Sequence, residues 1–548
     1  MYLSKSNNIM KSLIKVSYIF LASVVVGCTD LKEEILDETL NKDLITSNEA
    51  AESVTAAAYA RLRSTFTNHA KVFGLQEITT DEAMCPTRGT DWDDNGLYRE
   101  LHTHTWTANN GAIRNTWNEL NQGVAKSMIA IKTMQDMEGN FDRYIAETTV
   151  LKAFYMMHLL DLYGQVPTRD VEILKFNDSP MVLKGEEAVQ YIAEDLLSTL
   201  DHLGSKEEIG NSRITKEAAQ ALLSRLYLNS AVYINPYASS YKFKSEDLTK
   251  VIQYASEVIN SSSYQLETAD YFSIFDTDNH GHSEMIFAVD QRLEYNLGDN
   301  LFSVVSLARS QKPTPTRRGW NGFSTLPEFV DTWDITDPRY SKVNFVQEEG
   351  TLAPELYELN RGFLSGQQFG PVLNEDQSDF VKDASGQLII TALMNDRDGQ
   401  PTNFTKEVKL FDNQSSGIRV AKYQFDHNGS SNGRGQVDIP LVRLGDVYLM
   451  RAEAKFRNND VSGALSDINT LRTARGAKPL TSLTEEALFN ERGFELYWEM
   501  QRRTDMIRFG KFEDKWTEKS SSDPNKRVFP LPQTALDANL NLVQNQGY

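Results

Sequence analysis

The chain is 548 residues long and carries 56 Lys and Arg against 76 Asp and Glu, a formal charge of −20, with only two cysteines. That acidity repels phosphate backbones at long range and excludes nucleic acid as a partner. Two cysteines, Cys28 and Cys85, exclude a disulfide framework, so a chain this long must be stabilised by packing.

Residues 1–27 hold Lys5, Lys11 and Lys15, no acid, and the apolar run VSYIFLASVVVG. A basic head, a short apolar segment and a small residue before a break read as a secretory signal. The run falls short of the roughly 20 apolar residues that span a bilayer. The segment ends V-V-G-C, which reads as a lipobox: cleavage before Cys28 frees its amine, and its thiol carries the lipid. Acyl chains bury at about 0.8 kcal/mol per CH2, so several hold a protein firmly to a membrane. An ordinary signal peptide that contains a cysteine is the alternative. Loss of the three signal lysines takes the charge from −20 to −23. With Cys28 acylated, Cys85 is expected to be a buried, inert thiol. Residues 28–46 are polar and acidic and read as a tether.

Residues 47–265 show helical periodicity. Ala50, Val54, Ala57, Ala58 and Leu62 share a stripe, and Ile113, Trp117, Leu120, Val124, Met128 and Ile131 step by three or four. The stretch ETTVLKAFYMMHLLDLYGQVP runs to Gly164 and Pro167, which stop a helix. GEEAVQYIAEDLLSTLDHL, TKEAAQALLSRLYLNSAVY and DLTKVIQYASEVINSS continue the series, the second with a small-residue seam at Ala218, Ala219, Leu222, Leu226 and Ala231. Small residues at the crossings let helix backbones approach closely, so the pattern predicts a mainly α chain of tetratricopeptide-like helix pairs in a degenerate form. A generic helical domain is the alternative.

Residues 266–438 lose the period and are punctuated by Gly, Asn, Asp, Ser and Pro, as in QKPTPTRRGWNGF and RGFLSGQQFG. They predict a loop-rich insertion with short strands, the kind of segment that carries function. Helices return over 439–548. Gly476 occupies a C-terminal cap position, and Ser482 with Glu485 fits a capping box. Glu491, Glu495 and Glu499 recur every four residues ahead of Arg502, Arg503 and Arg508, a spacing that predicts ion pairs along a helix face rather than a catalytic pair.

IPLVRLGDVYLMRAEA, ALSDINTLRTARG, NERGFELYWEMQRRTDMIRFGKF and VFPLPQTALDANLNLVQNQGY, with LKAFYMMHLLDLYGQVP and AAQALLSRLYLNSAVY upstream, resemble the SusD/RagB family over essentially the whole mature chain. The resemblance implies four tetratricopeptide-like units with a loop-rich ligand face. It also implies a lipid-anchored outer-membrane protein of Bacteroidetes that serves as a lid on a SusC-like TonB-dependent transporter and captures glycans or, in some members, peptides. The run Lys32-Glu33-Glu34 resembles the surface-export signal of Bacteroidetes lipoproteins, which implies a face toward the cell exterior; a solvated acidic linker fits it equally.

A sugar presents C–H faces that a flat aromatic ring covers, and hydroxyls that Asn, Asp, Gln and Arg satisfy. The segment 86–98 offers Trp92 among Asp94, Asn95 and Arg88, and Trp320 sits in the turn-like RRGWNGF. Tyr295 lies in the polar QRLEYNLGDN and aligns loosely with a ligand-stacking aromatic of the family. These six residues form the expected ligand site, whereas Trp333 reads as core. The pairs His102/His104 and His280/His282 have no acid or cysteine at a spacing that completes a metal site, and DTDN (Asp276, Asp278, Asn279) lacks the glycine and distal glutamate of an EF-hand loop. No metal, cofactor or catalytic residue is expected. A glycoside hydrolase, which needs two carboxyls about 5–9.5 Å apart, and a transporter partner whose ligand is a peptide are the competing readings.

Overall fold

The computed structural model describes residues 48–171, 179–210, 212–295, 297–427, 435–520 and 522–548. The signal, Cys28 and the acidic tether lie outside the described residues.

Among the described residues, six helices of 15 or more residues occupy the first half: α1 (Asn48–Phe66), α2 (Gly111–Gln135), α3 (Asp142–Tyr163), α4 (Gly185–Thr199), α5 (Lys216–Ile234) and α6 (Ser245–Asn260). After the irregular region come α7 (Leu444–Arg457), α8 (Val461–Ala474), α9 (Glu485–Leu496) and α10 (Arg502–Arg508), with a short helix over Gln533–Ala538 beyond them. From α1 to α8 each helix packs against the next, and α7 takes its place directly on α6 although about 180 residues of chain separate them. The arrangement is the tetratricopeptide-like helical succession predicted above, with the insertion leaving and re-entering between two neighbours.

The amphipathic stripes explain the packing. On α6 the buried residues are Leu248, Val251, Ala255 and Val258, spaced three and four apart, and each fully buried Leu or Val is worth about 1.5–3 kcal/mol. The seam of α5 is buried at Ala218, Ala219, Leu222 and Leu226. Gly123 of α2 lets α3 come close, since a Cβ there would lie 2.6 Å from the Tyr155 ring. Thr215 caps α5 by accepting from the Ala218 N–H, and Gly164 ends α3 at φ +65. Gly476, at φ +69, follows α8 as expected. The N-cap of α9 is Thr484, which accepts from the Ala487 N–H, and not Ser482.

Between α6 and α7 the chain forms short strands of two to five residues and long turns. β1 (Met285–Val289) pairs antiparallel with β2 (Ile439–Arg443), which runs straight into α7. That ladder fastens both ends of the irregular region to the helical scaffold. Its aromatics join the main apolar core, where Trp333 packs 4.5 Å from Phe494 and 5.6 Å from Tyr497. Cys85 is buried, and burial pushes its thiol pKa well up.

The acids of α9 are structural, but their partners are tertiary. Glu495 accepts from Arg339, Arg443 and Arg475, and Glu491 accepts from Arg339 and Arg472. Glu499 lies beyond the end of α9 and pairs with Lys422 and Arg443. The arginines that follow in sequence go elsewhere: Arg502 to Asp81, Arg503 to Asp161, Arg508 to Glu453 and Asp505.

Candidate functional site

The segment 84–98 leaves the scaffold as an extended stretch and coils back. Met84 exchanges backbone hydrogen bonds with Ser324, and Arg88 does so with Asp91 across a tight turn. Trp92, Asp94 and Asn95 then follow with φ of +58, +41 and +52. The left-handed region is a true outlier for a bulky side chain such as Trp, so the conformation must be held by what surrounds it. The indole Nε1 of Trp92 donates to the Trp320 carbonyl at 3.1 Å. Its ring lies on Gly322, where a Cβ would sit 2.6 Å from the indole and 2.9 Å from the Val305 carbonyl. The Gly322→Ala variant is therefore expected to lose about 1–3 kcal/mol through overpacking, read as a lower urea midpoint, and to displace the indole, read as a shift in tryptophan emission.

Trp320 is fixed from the opposite side. The backbone of 320–323 donates to the carbonyls of Val304, Leu307 and Val305 at 2.8–2.9 Å. The two indole centroids are 6.4 Å apart at 39°, and His69 stands edge-on to both, at 5.5 Å from Trp92 and 6.0 Å from Trp320. Tyr98 and Phe323 form the layer beneath, 5.9 and 5.5 Å from Trp92. Both indoles are partly buried and partly open to solvent. Two turns more than 220 residues apart in sequence thus present adjacent rings on a rigid backing.

Arg88 does not belong to this surface. It is 1% exposed, and its guanidinium donates to the carbonyls of Gly322 and Asn413 and to the hydroxyls of Ser416 and Ser324. Burial lowers its pKa to about 10. Its work is to clamp the Trp92 turn to the segments that carry Trp320 and Asn413, which corrects the expectation that it meets a ligand.

Asp94 and Asn95 are exposed on the turn after Trp92. Burial and then the neighbouring Asp93 raise the pKa of Asp94, while Asp93 pairs with Arg99 at 2.9 Å. Tyr295 is 57% exposed in a separate turn, with the Arg292 guanidinium 4.5 Å over its ring. Its contacts do not tie it to the indole pair.

Five further side chains, Asp91, Arg309, Arg397, His69 and Phe411, adjoin this candidate site and were not among the residues expected there from sequence. Asp91, next to Trp92, takes Arg397 at 2.8 Å and Arg309 at 3.4 Å. His69 completes the aromatic group. Phe411, on the strand paired with Thr87–Arg88, is 65% exposed under the Arg99 guanidinium. The flanks of Arg309 and Arg397, among them Lys312, Met394 and Asp396, line a cleft of about 250 Å³ together with Tyr357 and Phe380. A larger cavity, about 300 Å³, lies at the end of α5 around Ile234, Tyr241 and Asp247 and has none of these groups.

The histidines have local roles. His102 and His104 are buried against the carbonyls of Thr517 and Thr79, and burial lowers the pKa of His102 to about 4. His280 lies within reach of Asp290 and Asp438, the one grouping with metal-ligand spacing among the described residues. The acids that complete it come from outside its own sequence neighbourhood, which spacing did not show. Asp438 already bonds His280 and the Gln291 N–H, and Asp290 is held by Arg292. Asp276 pairs with Arg361, and Asn279 bonds the Ile274 and Asp438 carbonyls.

A family model described as "SusD family" matches residues 283–548, and one described as "Starch-binding associating with outer membrane" matches residues 30–228. The starch-binding protein SusD of Bacteroides thetaiotaomicron is 26% identical over 504 residues, covering 87% of this chain and 85% of that one. SusD-like protein P38 of Formosa agariphila is 20% identical and covers 98% of this chain and 100% of its own. Among solved structures, a SusD superfamily protein of Parabacteroides distasonis superposes with a TM-score of 0.71 at 20% identity, covering 92% of this chain and 100% of its own. The surface glycan-binding protein A of Bacteroides thetaiotaomicron, solved with laminarihexaose, gives 0.65 at 19% identity, covering 91% of this chain and 100% of its own.

Proposed function

Because the chain belongs to the SusD/RagB family, we propose that it is a non-catalytic glycan-binding lipoprotein of the outer membrane, facing the cell exterior. In this reading it captures oligosaccharides and passes them to a SusC-like TonB-dependent transporter. The observation that carries the binding role is the Trp92–Trp320 pair, two adjacent, partly open indoles locked by hydrogen bonds and backed by His69, Tyr98 and Phe323. A pre-positioned ring covers a sugar face without the entropy cost of ordering it on binding. Asp94 and Asn95, exposed on the adjoining turn, would meet hydroxyls. Tyr295 would serve a more distant part of a long chain. The relatives support the class of ligand, since one is named for starch binding and one was solved with laminarihexaose. The acids favour binding over hydrolysis: Glu77 and Glu82, which face each other, are buried, and Asp91 is tied to two arginines.

The test is calorimetry of the purified full chain across a polysaccharide panel. Trp320→Ala is expected to weaken the best ligand roughly 10- to 30-fold, the loss of about 1.5–2 kcal/mol of buried ring contact, while the melting temperature stays near that of the parent. Unchanged affinity in both Trp320→Ala and Trp92→Ala would remove the site. Release of reducing sugar by the purified protein would make it a hydrolase, and heat for peptides but for no glycan would make it a peptide carrier.

A further inference from the structure

Although the chain is acidic, four basic side chains gather beside the indole pair. Arg309, Lys312, Arg318 and Arg397 lie there with Asp91 and Asp396. Resting on the glycan reading, we propose that the natural ligand is an acidic glycan and that Arg309, Arg318 and Arg397 receive its carboxylate or sulfate next to the Trp92–Trp320 rings.

The geometry carries this in three steps. One carboxylate oxygen of Asp91 serves two guanidinium groups, Arg397 Nε at 2.8 Å and Arg309 Nη2 at 3.4 Å, so two forks built for two oxygens each share a single one. Arg309 Nε is buried with no acceptor among the described residues. Arg318, two residues before Trp320, is exposed, and the Arg397 side chain is 40% exposed, so both are accessible from solution. A lone Arg among Asp, Asn and Gln suffices for the hydroxyls of a neutral sugar, which give no reason to gather three arginines and a lysine.

Electrostatics agree. Burial, then Arg397 and Arg318, hold the Arg309 pKa below its ordinary value, and burial together with Arg318 does the same to Lys312 against the pull of Asp396. The cations repel one another in the free protein, and an arriving anion relieves that repulsion. Guanidinium pairs carboxylate and sulfate oxygens two at a time, and an adjacent sugar ring then rests on an indole. The 250 Å³ cleft between Lys312 and Asp396 continues the path from this group.

The experiment is calorimetry of the full chain with polygalacturonate and its methyl ester, chondroitin sulfate and unsulfated chondroitin, and the neutral polymers laminarin and starch. At least one acidic polymer is expected to bind about tenfold or more tighter than its uncharged or less charged counterpart. The ester pair reports carboxylate recognition and the chondroitin pair reports sulfate. The margin is expected to shrink as salt rises from about 50 to about 300 mM, because partly exposed pairs are screened. It is also expected to vanish in the Arg318→Gln/Arg397→Gln double variant, two accessible positions whose loss leaves the melting temperature unchanged. A panel in which only neutral polymers bind, or in which the double variant keeps the acidic preference, overturns the proposal. If a neutral ligand also loses affinity in Trp320→Ala, the glycan-binding reading survives that failure. Binding to none of the polymers overturns both.

Discussion

Glu495→Gln is expected to destabilise the fold by about 3–5 kcal/mol, the cost of leaving a buried ionic group uncompensated. Glu495 is fully buried and receives Arg339 at 3.0 Å, Arg443 at 2.5 Å and Arg475 at 2.6 Å. These arginines also reach Asp337, Glu491, Glu284 and Glu499, and Arg472 and Lys422 complete the group. Five basic and five acidic side chains therefore balance, and the Gln variant leaves one net positive charge inside. The three arginines hold the Glu495 carboxyl well below the usual range despite its burial. Glu453, facing Arg508, Arg457 and Arg492, is likewise lowered to about 2. A carboxylate whose folded pKa is depressed contributes stability that is present above its unfolded value and lost as pH falls through the folded one. The parent is accordingly expected to unfold in acid between about pH 4.5 and 2, and Glu495→Gln to show a shallower loss across that window. Urea midpoints at neutral pH and at pH 3 measure both. A variant as stable as the parent would mean that the network contributes nothing net.

This network shows where sequence reasoning stops. The helices were legible because their stripes are local: the spacing of Leu248, Val251, Ala255 and Val258 is enough to bury one face. Gly164 and Gly476 marked helix ends because a left-handed residue is needed there. The start of α9 was misplaced by two residues because Ser482 and Thr484 are both good capping hydroxyls and only Ser482 has a Glu three residues on, yet the fold gives the N–H to Thr484. The partners of Glu495 were invisible because Arg339 and Arg443 arrive from the irregular region and from β2. Arg88 misled for the same reason. Its polar sequence neighbours suggested exposure, but Gly322, Ser324 and Asn413 close over it from more than 230 residues away. Trp92 and Trp320 were each readable as turn aromatics. Their adjacency, and the Asp91–Arg309–Arg397 group beside them, depend on three distant turns meeting.

The opposite pH dependence is expected from Glu77. It lies in the π-helical turn Gly74–Ile78, fully buried, and accepts from the Met500 N–H at 2.5 Å, while Glu82 accepts from the Trp498 N–H at 3.3 Å. Met500 and Trp498 both have φ of +60, so these carboxyls satisfy N–H groups that strained backbone turns inward. Burial pushes the Glu77 pKa up to about 7, against the pull of Lys422 and Arg502, and burial and the Glu77 charge raise that of Glu82. The two carboxyls face each other, so the charge of one disfavours ionisation of the other. Since the native state then holds a proton that the unfolded chain releases near pH 4.3, stability falls as pH rises through the interval from about 4.5 to 7. The loss is about 3 kcal/mol. Glu77→Gln keeps the acceptor for Met500 and supplies a permanent donor to Glu82. It is expected to match the parent near pH 5 and to exceed it by up to about 3 kcal/mol at pH 7.5. The comparison is made as a difference between the two proteins because buried His102 and His158, both lowered to about 4, add stability with rising pH in each and cancel. Glu77→Ala separates the proton from the hydrogen bond: with the Met500 N–H orphaned, it is expected to lie about 1–3 kcal/mol below Glu77→Gln at both pH values. The consequence reaches the binding surface, because Trp498 packs on Phe73 and Phe323, and Phe323 lies 5.5 Å beneath Trp92. A Gln variant no more stable than the parent at pH 7.5 would show that the pair is ionised at no cost, and that the indole pair rests on a base insensitive to pH.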